Sequence, residues 1–232
     1  MKNLSIYILF VALLASACTK KNIPHYTIAR VTKSDTASKV IVNIGSRLSE
    51  TELLSIAGKI KADSATLTNL QVYYLLTGHN EKSTGPNNFY ATAKYPSAQL
   101  ATMQDTLKDN DGNVVRLKIT GLSAQVAKKF ITLIPKEISG QKILGHFIDD
   151  NNATLIIPFI DVVDPQKELH LLELDTAGKV VSATIPTVVN KDGIQQLMVT
   201  QRGDYITLKD SILTQYSIDD MGLPYNSIKS GL

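Results

Sequence analysis

From Lys142 to the C-terminus, short apolar runs are separated by turn signals roughly every 8–12 residues. A chain that reverses so often has little room for helices and must pair each segment with a neighbour. The predicted strands are residues 143–148, 154–159, 168–174, 180–185, 195–200, 205–208, 212–216 and 224–228. Their turns fall at 149–152, 175–179, 190–193, 202–204, 209–211 and 219–222, where Asp, Asn, Gly and Ser collect. The expected product is an antiparallel β meander over residues 142–232, packed as a sandwich or closed as a small barrel. A closed barrel of this kind can hold one small apolar ligand or fill itself with its own side chains.

The residues before it mix two periods. Residues 39–44 are β-branched and end at Gly45, which predicts a strand. Ser49-Glu50-Thr51-Glu52 then spells a capping box, with Leu48 and Leu53 placed as a hydrophobic staple. Leu53, Ile56, Ala57 and Ile60 recur at helical spacing, so a helix is expected over 50–61. Strands are expected at 70–76, 88–95 and 114–119, with a long loop at 77–87 and a turn at 109–113. Residues 97–108 fit no single element. Ser123 caps a second, short helix carrying Val126, Phe130, Leu133 and Ile134, and Pro135 stops it. Residues 39–135 are therefore predicted to form a small helix-on-sheet domain, with 136–141 as the joint. The fold class is α+β.

The N-terminus is of another kind. Lys2 precedes an apolar run of 11 residues, 4–14, too short for a hydrocarbon core that needs about 20. Ala15-Ser16-Ala17 follows, and then Cys18, the one cysteine in the chain. Run length and small residues match a signal peptide over 1–17. Leu14-Ala15-Ser16-Ala17-Cys18 resembles the lipobox of bacterial lipoproteins, except that the leucine stands four positions before the cysteine, where three is commoner. A secretory signal with an incidental cysteine is the alternative.

The resemblance implies that Cys18 becomes the lipidated first residue of the mature chain, carrying palmitate-type acyl chains. One chain anchors marginally and two or more firmly. It implies a cell-envelope address, with residues 18–38 as a polar tether and the membrane as a partner. Thr19 is not the aspartate that retains enterobacterial lipoproteins at the inner membrane, which points to the outer membrane. Lys20 and Lys21 differ from acidic surface-export runs, which points to the periplasmic face. Lipidation also removes the only thiol from disulfide, zinc or nucleophilic chemistry.

Two further likenesses carry less. Tyr73-Tyr74-Leu75-Leu76 with Gly78, then Phe89-Tyr90-Ala91-Thr92 and Pro96, resembles a module of uncharacterised bacterial lipoproteins and implies no activity. Leu144-Gly145-His146-Phe147 resembles the Gly-x-Trp opening of lipocalin-like barrels, with Phe147 in the tryptophan's place.

Charge narrows the partners. Lys and Arg total 24 against 21 Asp and Glu, and removing residues 1–17 takes away only Lys2. That balance does not argue for a nucleic-acid surface. The four histidines, His25, His79, His146 and His170, show no metal-ligand spacing, so no metal and no cofactor are expected. His146 with Asp149 and Asp150 comes nearest to an acid/base cluster, although Asp149-Asp150-Asn151-Asn152 also reads as a hairpin turn. Asp109-Asn110-Asp111-Gly112 begins like a calcium loop, but its glycine comes early and no glutamate closes it. Arg202-Gly203-Asp204 is an adhesion tripeptide in a predicted turn.

One pattern exceeds composition. Asp followed by Ser or Thr and then an aliphatic residue resembles the O-glycosylation motif of Bacteroidota envelope proteins. It places candidate hydroxyls at Thr36, Ser64, Thr106, Thr176 and Ser211. Asp-Ser and Asp-Thr are also common turn dipeptides. The sequence as a whole predicts a non-enzymatic envelope lipoprotein that binds or assembles a protein or small-molecule partner. The alternative is an envelope hydrolase or carbohydrate-active enzyme with its site at the domain junction.

Overall fold

The capping box at Ser49 opens a helix, α1 (Glu50–Asp63). Ser49 accepts from the Glu52 amide, and the Glu52 carboxylate accepts from the Ser49 amide at 2.8 Å. These bonds satisfy donors that the helix start would otherwise leave bare. Leu48, Leu53, Ile56, Ala57 and Ile60 are all buried in one cluster, so the staple and the apolar stripe form as expected. The helix runs two residues past its predicted end, closed by a Lys59–Asp63 pair one turn apart.

The computed structural model describes residues 23–34, 36–64, 66–67, 69–96 and 106–232. In it α1 crosses between β2 (Ser38–Ile44) and β3 (Leu70–Leu76), which pair in parallel. The first sheet is completed by β1 (Tyr26–Lys33), β4 (Ala91–Lys94), β5 (Leu107–Lys108) and β6 (Val114–Ile119), in the order β1-β2-β3-β4-β6-β5. Its core face carries Val40, Val42, Val72, Tyr74, Ala91, Ala93 and Val115 against the helix. Tyr74 is fully buried and donates its hydroxyl to the Leu53 carbonyl at 2.6 Å.

β1 lies inside the stretch read as tether. That reading missed it because an edge strand buries little: seven of its eight residues are exposed. It pairs along its whole length with β2, with a register shift between Ile28 and Arg30.

The second half forms two more five-stranded sheets. One holds β7 (Lys142–Ile143), β8 (Phe147–Asp149), β9 (Thr154–Ile160), β10 (Leu169–Leu174) and β11 (Val180–Thr184). The other is a meander of β12 (Thr187–Lys191), β13 (Ile194–Met198), β14 (Tyr205–Lys209), β15 (Ile212–Tyr216) and β16 (Pro224–Lys229). Phe147, Ile156 and Leu171 from the first of these meet Leu197, Ile206, Leu213 and Ile228 from the second. This is the sandwich of the two predicted forms. Neither sheet closes, so the barrel implied by the lipocalin likeness is not the architecture.

Three details depart from the predicted elements. The strand expected at 143–148 is broken into β7 and β8, both paired with β9 opposite Pro158. The Leu144 amide donates to the Pro158 carbonyl at 2.9 Å, so the proline's missing N–H falls on the same side, where the neighbouring strand parts. β12 was not among the predicted strands: it occupies 187–191, just ahead of a hairpin turn at 192–193 inside the predicted 190–193 turn, and all five of its residues are exposed. The second helix, α2 (Ala124–Phe130), was assigned to the first domain but packs on the second sheet. Ala127 and Phe130 join Ile148, Leu155, Ile157 and Leu172 there, and Ile138 from the expected joint is buried with them. No helix among the described residues is long and apolar enough to cross a membrane.

Candidate functional site

The turn between β8 and β9 holds the two halves together. Asp149 and Asp150 are buried, 1% and 7% exposed, which the hairpin reading did not anticipate. Asp150 receives both terminal nitrogens of Arg47 at 2.8 and 2.9 Å and the Leu122 amide at 2.8 Å. Arg47 also donates to the Leu122 carbonyl. Asp149 faces into the sandwich and accepts from Asn226 Nδ2, Asn152 Nδ2 and the Asn151 amide. Asn151 Oδ1 accepts from the Asn87 amide, and the Thr84 and Gly85 amides donate to the carbonyls of Pro224 and Tyr225. Gly85 and Gly121 have no room for a side chain: a Cβ would lie 2.6–2.8 Å from Asn151 and the Tyr225 carbonyl, or from Tyr90 and Asp150.

A buried charge pair is held by its hydrogen bonds more than by Coulomb attraction; here both terminal nitrogens of Arg47 and both Asp150 oxygens are bonded, and Arg47 Nε is left without a partner. Residues 150–153 form the turn that the hairpin reading expected, and His146 is not hydrogen-bonded to Asp149 or Asp150. His146 turns to the Leu133 backbone, and burial pushes its pKa down. His79, from the loop after β3, lies close enough to feel Asp150, yet burial lowers its pKa to about 4. His79 Nδ1 is buried with no hydrogen-bond partner.

A second arrangement, with no signal in the one-dimensional pattern, sits at the end of the sandwich. There a cleft of about 560 Å³ is lined by Glu173, Gln215, Tyr205, Tyr216, Tyr225 and Asp220, among others. Tyr205 and Tyr216 are cross-strand partners whose rings stack at 4.6 Å and 11°. Such a pair offers a flat amphipathic surface. Glu173 points between the sheets; burial first, and the Asp149 charge second, raise its pKa. Burial, then Asp149 and Asp220, likewise raise that of Tyr225. On the rim the Ile218 amide and the Thr200 and Ser217 hydroxyls hold Asp204 below the usual carboxylate range. Gln215 Oε1 is buried and lacks a partner. None of the described residues lining the cleft is Lys or Arg.

No known protein family, curated protein or solved structure matches this chain.

The remaining sequence candidates are scattered. Cys18 lies outside the described residues. Thr36, Thr176 and Ser211 are exposed in hairpin turns, while Ser64, at the C-terminus of α1, and Thr106 are half-buried. Asp210 and Ser211 both have positive φ, 51° and 60°, as a two-residue hairpin turn of type I′ requires. Asp109 is taken up by its own turn. Burial pushes its pKa up, but bonds from Asn113, Tyr95 and the Asp111 amide outweigh that and hold it low. Arg202 pairs with Asp219, and Asp204 of the same tripeptide braces the 217–218 turn. Among the described residues no group of three or more His, Cys, Asp or Glu is placed to hold a metal ion.

Proposed function

We propose that this chain is a non-enzymatic cell-envelope lipoprotein, anchored through Cys18, that binds a small-molecule partner in the tyrosine-lined cleft at the end of the sandwich. The anchor would set it on the outer membrane facing the periplasm. The observation that carries the binding reading is the cleft itself. It joins Glu173, Tyr225 and a buried amide oxygen awaiting a donor in about 560 Å³, with the stacked Tyr205–Tyr216 pair at its edge, on the outer side of the same sheet. Concave sites with few convergent polar groups are where small ligands bind. A planar or ring-shaped molecule carrying hydroxyl or amide donors fits that lining better than the purely apolar ligand a closed barrel would take.

Native mass spectrometry of the intact chain, purified gently from its own bacterium, tests this. The expected result is a retained small-molecule mass that is lost in Tyr216→Ala. A bare lipidated chain, or one bound only to another protein, would replace small-molecule binding with an assembly role.

The carbohydrate-active alternative keeps one specific support, moved from the domain junction to this cleft. Glu173 has its pKa raised and Asp204 has its pKa lowered in the same cavity, the separation that a general acid and an ionised partner need. Turnover of an envelope glycan that disappears in Glu173→Gln would favour it.

A further inference from the structure

The face of the first sheet turned away from α1 carries a ladder of cations. Strand register puts Arg30 (β1), Lys39 (β2), Lys94 (β4), Lys108 (β5), and Arg116 and Lys118 (β6) on this one side. The described strands add no Asp or Glu to it. Among the described residues, Glu81 from the 77–90 loop pairs with Arg30 at 2.6 Å. Lys94 and Arg116 sit directly opposite each other, an arrangement that destabilises a sheet when nothing neutralises it. The chain as a whole is nearly balanced, so this face concentrates a charge that the composition hides.

We propose that this basic sheet face docks on the anionic headgroup surface of the membrane that carries the protein's lipid anchor. The inference rests on the anchor reading for its geometry. Eight residue steps separate Cys18 from Tyr26, the first residue of the sheet's edge strand, and a chain of that length spans about 30 Å at most. The sheet is therefore confined next to lipid phosphates, where a polybasic surface is attracted at about 1 kcal/mol per basic residue. Nucleic acid is the poorer fit. Tyr73 and Phe89 are the aromatic side chains on this face, and Lys39 Nζ lies over both rings, 4.3 and 5.1 Å from their centroids. Those rings are occupied, so bases have no open platform to stack on.

The test uses the mature chain, residues 18–232, carrying Cys18→Ser, which removes both the apolar signal and acylation, mixed with vesicles of phosphatidylcholine alone or with phosphatidylglycerol. Co-sedimentation is expected only with the phosphatidylglycerol vesicles and is expected to weaken as salt is raised. Lys94→Gln and Lys118→Gln, both exposed, should each lower vesicle affinity about fivefold, as about 1 kcal/mol per surface charge implies. Lys179→Gln and Lys191→Gln, on the sandwich, should leave it unchanged. Equal binding to neutral vesicles, insensitivity to Lys94→Gln and Lys118→Gln, or binding to heparin with none to anionic vesicles would each overturn the proposal. Failure of the anchor reading would show separately, as a wild-type chain without an acyl mass.

Discussion

Arg47 and Asp150 are 103 positions apart in sequence and meet in a two-pronged pair whose side chains are 3% and 2% exposed. The first sheet and the sandwich are joined through it. Its charges lie where neither can return to water without opening the junction.

Removing one partner should therefore cost more than removing both. Arg47→Met is expected to destabilise the protein by about 3–5 kcal/mol, because it strands the Asp150 carboxylate. Arg47→Met combined with Asp150→Leu should recover part of that loss. Urea unfolding of the two variants and the wild type decides it; equal losses would mean that packing, not charge, holds the junction.

His79 should make stability depend on pH. Its folded pKa, about 4, lies below the ordinary value of 6.5, so the unfolded chain binds the proton more readily. The penalty is absent above about pH 6.5 and grows as pH falls, to about 3 kcal/mol once pH drops through 4. Thermal melts between pH 7 and pH 4 should show this decline, and His79→Gln should flatten it.

The capping box gives a local test. Ser49→Ala removes the side-chain acceptor for the Glu52 amide and should cost about 1 kcal/mol. Helix α1 buries its stripe in the first core, so the loss should appear in global unfolding and not only in fraying. Amide hydrogen exchange along 50–63 separates the two.

Modification should follow exposure. Intact-mass and peptide mapping of material from the native host should find acyl mass on Cys18 and glycan on exposed Thr36, Thr176 and Ser211. The half-buried Ser64 and Thr106 should carry less. Bare hydroxyls at all three exposed positions would leave these motifs as turns alone.

What could be read from the chain was what neighbours in sequence decide. Ser49 to Glu52 wrote the helix start, and alternating runs wrote most strands within one or two residues. β1 escaped because Ile28 and Val31 are exposed, 54% and 46%, and an edge strand needs no buried face to form. The break between β7 and β8 was legible only in hindsight, from Pro158 on the strand across from it. The sites were harder still. Asp149 and Asp150 spell a turn, and nothing local says that one faces Asn226 and the other Arg47. The cleft draws Glu173, Tyr205 and Tyr225 from three strands whose register no pattern fixes. The basic face was hidden by averaging: six cations lie on one side of a sheet, in a chain whose totals nearly cancel.

The junction also orders events in time. In a chain delivered from its N-terminus, Arg47 arrives 103 positions before Asp150, and the Pro224 and Tyr225 carbonyls that clasp the 84–85 loop come later still. The first core can gather around α1 in that interval, but its arginine stays hydrated and its loop unclasped. Contacts of such long sequence separation slow folding. The 84–85 loop is thus clasped by the last strand of the chain, and a chain shortened by that strand would lose the clasp.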